Sequence, residues 1–150
     1  MKKLKYKTID TRNLQECQEH LMKVISSTSF LNNEGLNNEV PFHICPYEAS
    51  IQKDIIQLTK QLRNDLEGQN IKTLEINLYD LVVELLKCEG DWDWLLEHEQ
   101  DMSREELKDE LQGILDVETV ITPEIAKRMK EEGHDLMLLT GIGEVFPYIR

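Results

Sequence analysis

The chain of 150 residues sets 17 Lys and Arg against 29 Asp and Glu, a net charge of −12, with 40% hydrophobic and 31% charged residues. That length suits one domain spanning 1–150, the acidic balance works against strong direct DNA binding, and no apolar run approaches the roughly 20 residues of a membrane span. Cys17, Cys45 and Cys88 are odd in number and lack C-x-x-C spacing, so they read as reduced thiols packed as small hydrophobes in a cytoplasmic protein.

The basic tip Lys2 to Lys7 begins as a signal peptide does, but no apolar segment follows it. Residues 1–9 read as a frayed end or, from Leu4 to Ile9, as an edge strand. Leu14, Cys17, Leu21, Val24 and Ile25 recur at helical steps, predicting an amphipathic helix that ends near Ser26 to Ser29. An Asn- and Glu-rich loop follows, and Val40-Pro-Phe-His-Ile-Cys45 reads as a strand with proline at its start. Ile51, Ile55, Leu58, Leu62 and Leu66 trace a second helix, with Gly68 as its left-handed cap.

Ile71 to Leu78 has β-branched residues in near alternation and passes directly into the helical spacing of Tyr79 to Lys87. Asn77 serves as the N-cap there, with Asp80 in the first turn. Gly90 ends that helix, and Asp91 opens a short one. Ser103-Arg-Glu-Glu106 matches a capping box, and Thr122-Pro123 predicts an N-cap followed by proline at the first helical position. After Gly133 a strand is expected from Asp135 to Leu139, whose apolar run Leu136 to Leu139 is short enough to be buried on both faces. The alternation predicts an α/β fold with a small, mostly parallel sheet of three or four strands covered by helices. It is Rossmann-like in plan and short of the usual five or six strands at its C-terminal side.

The strand-to-helix turn Thr140-Gly-Ile-Gly143 invites comparison with phosphate-binding loops. Thr140, Gly141 and Gly143, with Asn77 and Asp80, are the candidate residues for an anion or nucleotide. Against this stand the missing lysine, Glu144 inside the turn and the absence of a third glycine, with Pro147 following Gly143 four residues later, so tight-turn glycines are the plainer reading. Tyr47 and Glu48 after the first strand, Tyr79 after the second and Glu144 after the third would share the sheet edge where ligands gather. His134-Asp135 lies at the opposite end, which argues for a structural histidine rather than a general base. His43, on a strand face expected to be buried, reads as a hydrogen-bonded core residue, and His20 and His98 lie on helices with no second ligand at a spacing of four, so no metal site and no cofactor are expected, and no catalytic constellation is complete. Trp92 and Trp94 cannot share a helix face, leaving one for the core and one partly exposed. Glu105, Glu106, Asp109 and Glu110, with Glu97, Glu99 and Asp101, form a dense acidic patch, either a solvated face or a docking surface.

Leu36-Asn-Asn-Glu-Val-Pro-Phe42, Ile76-Asn-Leu-Tyr-Asp-Leu81 and His134-Asp-Leu-Met-Leu-Leu-Thr-Gly-Ile-Gly-Glu-Val-Phe-Pro-Tyr-Ile-Arg150, in this order and spacing, resemble the BrxB family of bacteriophage exclusion (BREX) systems. The resemblance implies a component of antiviral defence acting with an alkaline-phosphatase-like protein, an adenine-specific DNA methyltransferase and a large ATPase. It carries over no catalytic residue. BrxB proteins continue beyond the position of Arg150 with a helix and a further strand, so the resemblance also implies a shortened sheet whose open edge leaves self-association open. The leading expectation is a non-enzymatic adaptor that grips another BREX protein, the phosphatase-like component first, through Trp92 or Trp94, the acidic patch, and Phe146 and Tyr148. Two alternatives are a degenerate hydrolase domain that binds nucleotide at the strand ends, and a DNA-contacting subunit that uses Lys2 to Lys7.

Overall fold

Two units make up the chain, Met1–Thr73 and Leu74–Arg150, and the computed structural model describes residues 13–32 and 42–149 of them. In the first unit the Asn13 side chain accepts a hydrogen bond from the Glu16 amide, 3.2 Å, at the head of α1 (Leu14–Ile25). That satisfies one of the donors a helix start leaves open. A short α2 (Thr28–Leu31) follows. Cys17, Leu21 and Ile25 form the buried face of α1, which packs on α3 (Gln52–Gly68) with Ile55, Leu58, Leu62 and Leu66 buried. Each such aliphatic side chain contributes roughly 1.5–3 kcal/mol on leaving water. Gln18 Nε2 donates to Asp65 Oδ2, 2.9 Å, at the rim of this seam.

The strand expected at 40–45 is not found: Val40 and Pro41 lie outside the described residues, and 42–48 run without regular structure. Phe42 and Ile44 alternate as strand residues do, but they are 78% and 58% exposed, so the pattern has no apolar surface to pack on. Tyr47 and Glu48 therefore follow no strand. The edge strand considered at Leu4 to Ile9 also lies outside the described residues. At the end of α3 the left-handed position falls not on Gly68, which is still helical, but on Asn70, φ 62°. Asparagine is among the few residues that adopt that conformation readily.

In the second unit β1 (Thr73–Asn77) runs without a gap into α4 (Leu78–Glu89), because Asn77 ends the strand and caps the helix. Gly90, φ 86°, is the whole connection to α5 (Asp91–His98). The Ser103 hydroxyl and Glu106 carboxylate cap α6 (Arg104–Ile114) reciprocally. A π-helical turn, Val117–Ile121, leads into α7 (Thr122–Glu131). This corrects the expected cap at Thr122: Asp116 accepts from the Glu118 and Thr119 amides at 3.1 and 2.8 Å, so the chain is already helical when it reaches Pro123.

β2 (Leu136–Thr140) pairs in parallel with β1, and the sheet of the described residues has these two strands rather than three or four. The fold is α/β, a small parallel sheet covered by helices. Only Leu136 of β2 is fully buried, so the strand is less enclosed than its apolar run suggested. The core joins Ile76 of β1 to Leu78, Leu81, Val82 and Leu86 of α4, Leu95, Leu115, Ile121 and Val145. Among the described residues no helix is long and apolar enough to cross a membrane.

Candidate functional site

The strand ends come together in the second unit. Asn77 Oδ1 accepts from the Tyr79 and Asp80 amides, 3.0 and 3.3 Å, taking the donors with which the α4 N-terminus would meet an anion. Gly141, φ 71°, lies directly against the same side chain: a Cβ there would collide with Asn77 Oδ1 and come within 3.0 Å of its Cγ. The Thr140 hydroxyl donates to the Ile76 carbonyl, 3.4 Å, and the Glu144 amide to the Gly141 carbonyl, 3.0 Å. Gly141 is thus held by sterics and conformation, whereas a Cβ on Gly143 would meet nothing within 4 Å. The turn joins β2 to the head of α4, with its polar groups spent on one another. Tyr79, Ile142 and Phe146 are 48%, 57% and 70% exposed around it.

Trp92 packs against the core with Lys87 Nζ 5.1 Å from its ring centroid, a cation–π contact. Trp94 is 39% exposed, its ring stacked on His98 at 4.6 Å, and His98 Nδ1 lies 2.8 Å from the Trp94 carbonyl oxygen. On α6, Glu105, Glu106, Asp109 and Glu110 are all exposed. Glu106 is the exception in role, because its carboxylate accepts from the Ser103 amide at 2.8 Å. That bond and the Ser103 hydroxyl hold its pKa below the usual carboxylate range. Lys108 sits between Glu105 and Asp109, 3.8 and 3.7 Å away.

Glu105, Asp109 and Gln112 succeed one another at steps of four and three, hence along one stripe of α6. Gln112 Nε2 donates to the Pro147 carbonyl at 2.6 Å. The acidic stripe is thereby tied to the segment carrying exposed Phe146 and half-buried Tyr148. Gln112 and Pro147, which make this tie, lie 35 residues apart in sequence.

A polar cleft lined by Leu74, Glu124, Arg128, Glu131, Glu132 and His134 escaped the sequence reading. Arg128 forks onto Glu84 at 2.7 and 3.3 Å and bonds Glu124 at 2.8 Å, latching α7 to α4. The Glu84 and Glu124 bonds push the guanidinium pKa up, and the Arg128 bond holds Glu124 low. The Glu124 and Arg128 spacing of four was the available signal; Glu84, on another helix, was not legible. His134 Nε2 lies 3.4 Å from Glu132, at the N-terminal end of β2 and away from the strand-end turn.

A family model described as "BREX protein BrxB" matches residues 74–150, the span of the second unit. The BREX protein BrxB of Bacillus cereus is 27% identical over 146 residues, 93% of this chain and 73% of the relative. The BREX protein BrxB of Escherichia coli is 29% identical over 126 residues, 84% of this chain and 62% of the relative. The aligned part is thus under two thirds of the second relative's length. No solved structure matches the chain.

Proposed function

The chain belongs to the BrxB family of BREX phage-defence systems, and on that premise we propose that it is a non-enzymatic adaptor that holds another BREX protein, the alkaline-phosphatase-like component. The observation that carries the reading is the Gln112 to Pro147 bond, which sets an acidic helical stripe beside an exposed Phe146. A large aromatic anchor flanked by charge is the composition that protein interfaces favour, the aromatic supplying affinity and the carboxylates steering a basic partner. Trp94 and Tyr79 add exposed aromatic surface on the same unit. The nucleotide-binding alternative draws no support from the strand-end turn, where the α4 amides are already engaged by Asn77.

The test is co-purification from cells carrying the whole defence operon. Wild type is compared with a variant combining Glu105→Lys, Asp109→Lys, Glu110→Lys and Phe146→Ala. Glu106 is left intact because it caps α6. The reading expects the phosphatase-like component to be captured by wild type and lost from a variant with an unchanged far-UV spectrum and melting temperature. Capture that survives these substitutions, or no capture by wild type, refutes it.

A further inference from the structure

In the first unit, Cys17 and His20 stand three residues apart on one side of α1. His43 and Cys45 stand two apart on the extended segment 42–48, hence on its same side. The pairs face each other in register: the Cys17 and Cys45 sulfurs are 4.0 Å apart, and the His20 and His43 ring centroids 6.0 Å apart. Both cysteines are free thiols. The segment is oriented against ordinary hydrophobic logic. Phe42 and Ile44 point into solvent, while Cys45 is the only residue from 42 to 50 that is not exposed. Apolar burial therefore does not explain why this strip lies on α1; its His and Cys side does.

We propose that Cys17, His20, His43 and Cys45 form a Cys2His2 site for a zinc-class divalent cation that fastens the extended segment to α1. Tetrahedral zinc, with bonds of about 2.3 Å to sulfur and about 2.0 Å to nitrogen, sets its two sulfurs about 3.8 Å apart and its two imidazole centroids roughly 5 Å apart. The observed separations of 4.0 and 6.0 Å are those distances slightly opened. Among the described residues no three such side chains yet converge on one point, so the four are facing pairs that close by side-chain rotation as the ion enters. On coordination both thiols release their protons to solvent and the two imidazoles donate lone pairs, giving a centre with no net charge.

The test uses the whole chain, reduced and stripped with a chelator, then titrated with Co2+ as a spectroscopic stand-in for Zn2+. The expected result is one equivalent bound, with sulfur-to-cobalt charge transfer in the near ultraviolet and the visible bands of a tetrahedral ion, both lost when Zn2+ displaces it. Cys45→Ser and His43→Asn, on a segment outside the helical core, should each weaken uptake at least about tenfold while the helical spectrum is kept, as expected for lost metal ligands. Cys88→Ser should leave uptake unchanged. The proposal fails if the reduced chain shows no thiolate charge transfer, if uptake survives both substitutions, or if Cys17 and Cys45 form a disulfide in air while the reduced chain takes up no Co2+.

Discussion

Replacing Gly141 with alanine should destabilise the second unit by about 1–3 kcal/mol, through two effects that can be separated. The backbone at φ 71° is left-handed, and a Cβ there costs about 1–2 kcal/mol. The new methyl would also drive into Asn77 Oδ1, displacing the side chain that caps α4 through the Tyr79 and Asp80 amides. Loss of such a cap costs about 1 kcal/mol, while the stiffer unfolded chain offsets up to about 1 kcal/mol. Urea unfolding followed by tryptophan fluorescence is a suitable assay, because both tryptophans lie in this unit. The midpoint should fall by about 1–2 M at unchanged slope. Two references isolate the parts. Gly90→Ala, at φ 86° with nothing within 4 Å, should show only the conformational cost, and Gly143→Ala should cost less than about 0.5 kcal/mol. In an Asn77→Ala background the extra cost of Gly141→Ala should shrink toward that of Gly90→Ala. If Gly141→Ala behaves like Gly143→Ala, or shows no coupling to position 77, the account of the turn is refuted.

Arg128→Ala removes the fork onto Glu84 and the bond to Glu124, and should cost about 1–2 kcal/mol in chemical unfolding, since both pairs are partly exposed. The loss should shrink in high salt; a salt-independent loss would point to packing of the arginine stem instead. Ser103→Ala should cost about 1 kcal/mol at neutral pH. Because Glu106 titrates lower in the folded chain than in the unfolded one, its contribution is complete above the ordinary glutamate value near ~4.3 and is lost as pH falls through the folded value. The gap between wild type and Ser103→Ala should therefore narrow on the acid side alone, measured as the difference in melting temperature across a pH series.

Local signals carried much of this fold. The apolar run of β2, the β-branched residues of β1, the Asn77 cap, the Gly90 break and the Ser103 capping box each act within a few residues, so the sequence displays them directly. What it could not display is whether a local pattern finds a surface. Phe42 and Ile44 alternate as well as Leu74 and Ile76 do, yet only the latter pair packs in a core. Cap competition was equally hidden, since Thr122-Pro123 is a sound helix start that Asp116 pre-empts six residues earlier. The candidate surfaces were legible as residues and illegible as an arrangement. Nothing near Gln112 announces Pro147, and nothing near Asn77 announces Gly141. The facing of Cys17 with Cys45 and of His20 with His43 rests on how α1 meets the segment beyond the loop, a contact that spacing along one helix does not encode.

Gly90 makes α4 and α5 a corner with no slack. A residue added to the first turn of α5 would rotate the rest of that helix by about 100° about its own axis relative to this corner, swinging Leu95 off the core. One removed would turn it as far the other way. The bend therefore counts residues: it tolerates exchange of side chains around it far better than any change of length, and the direction in which Trp94 faces solvent is inherited from a single backbone torsion pair.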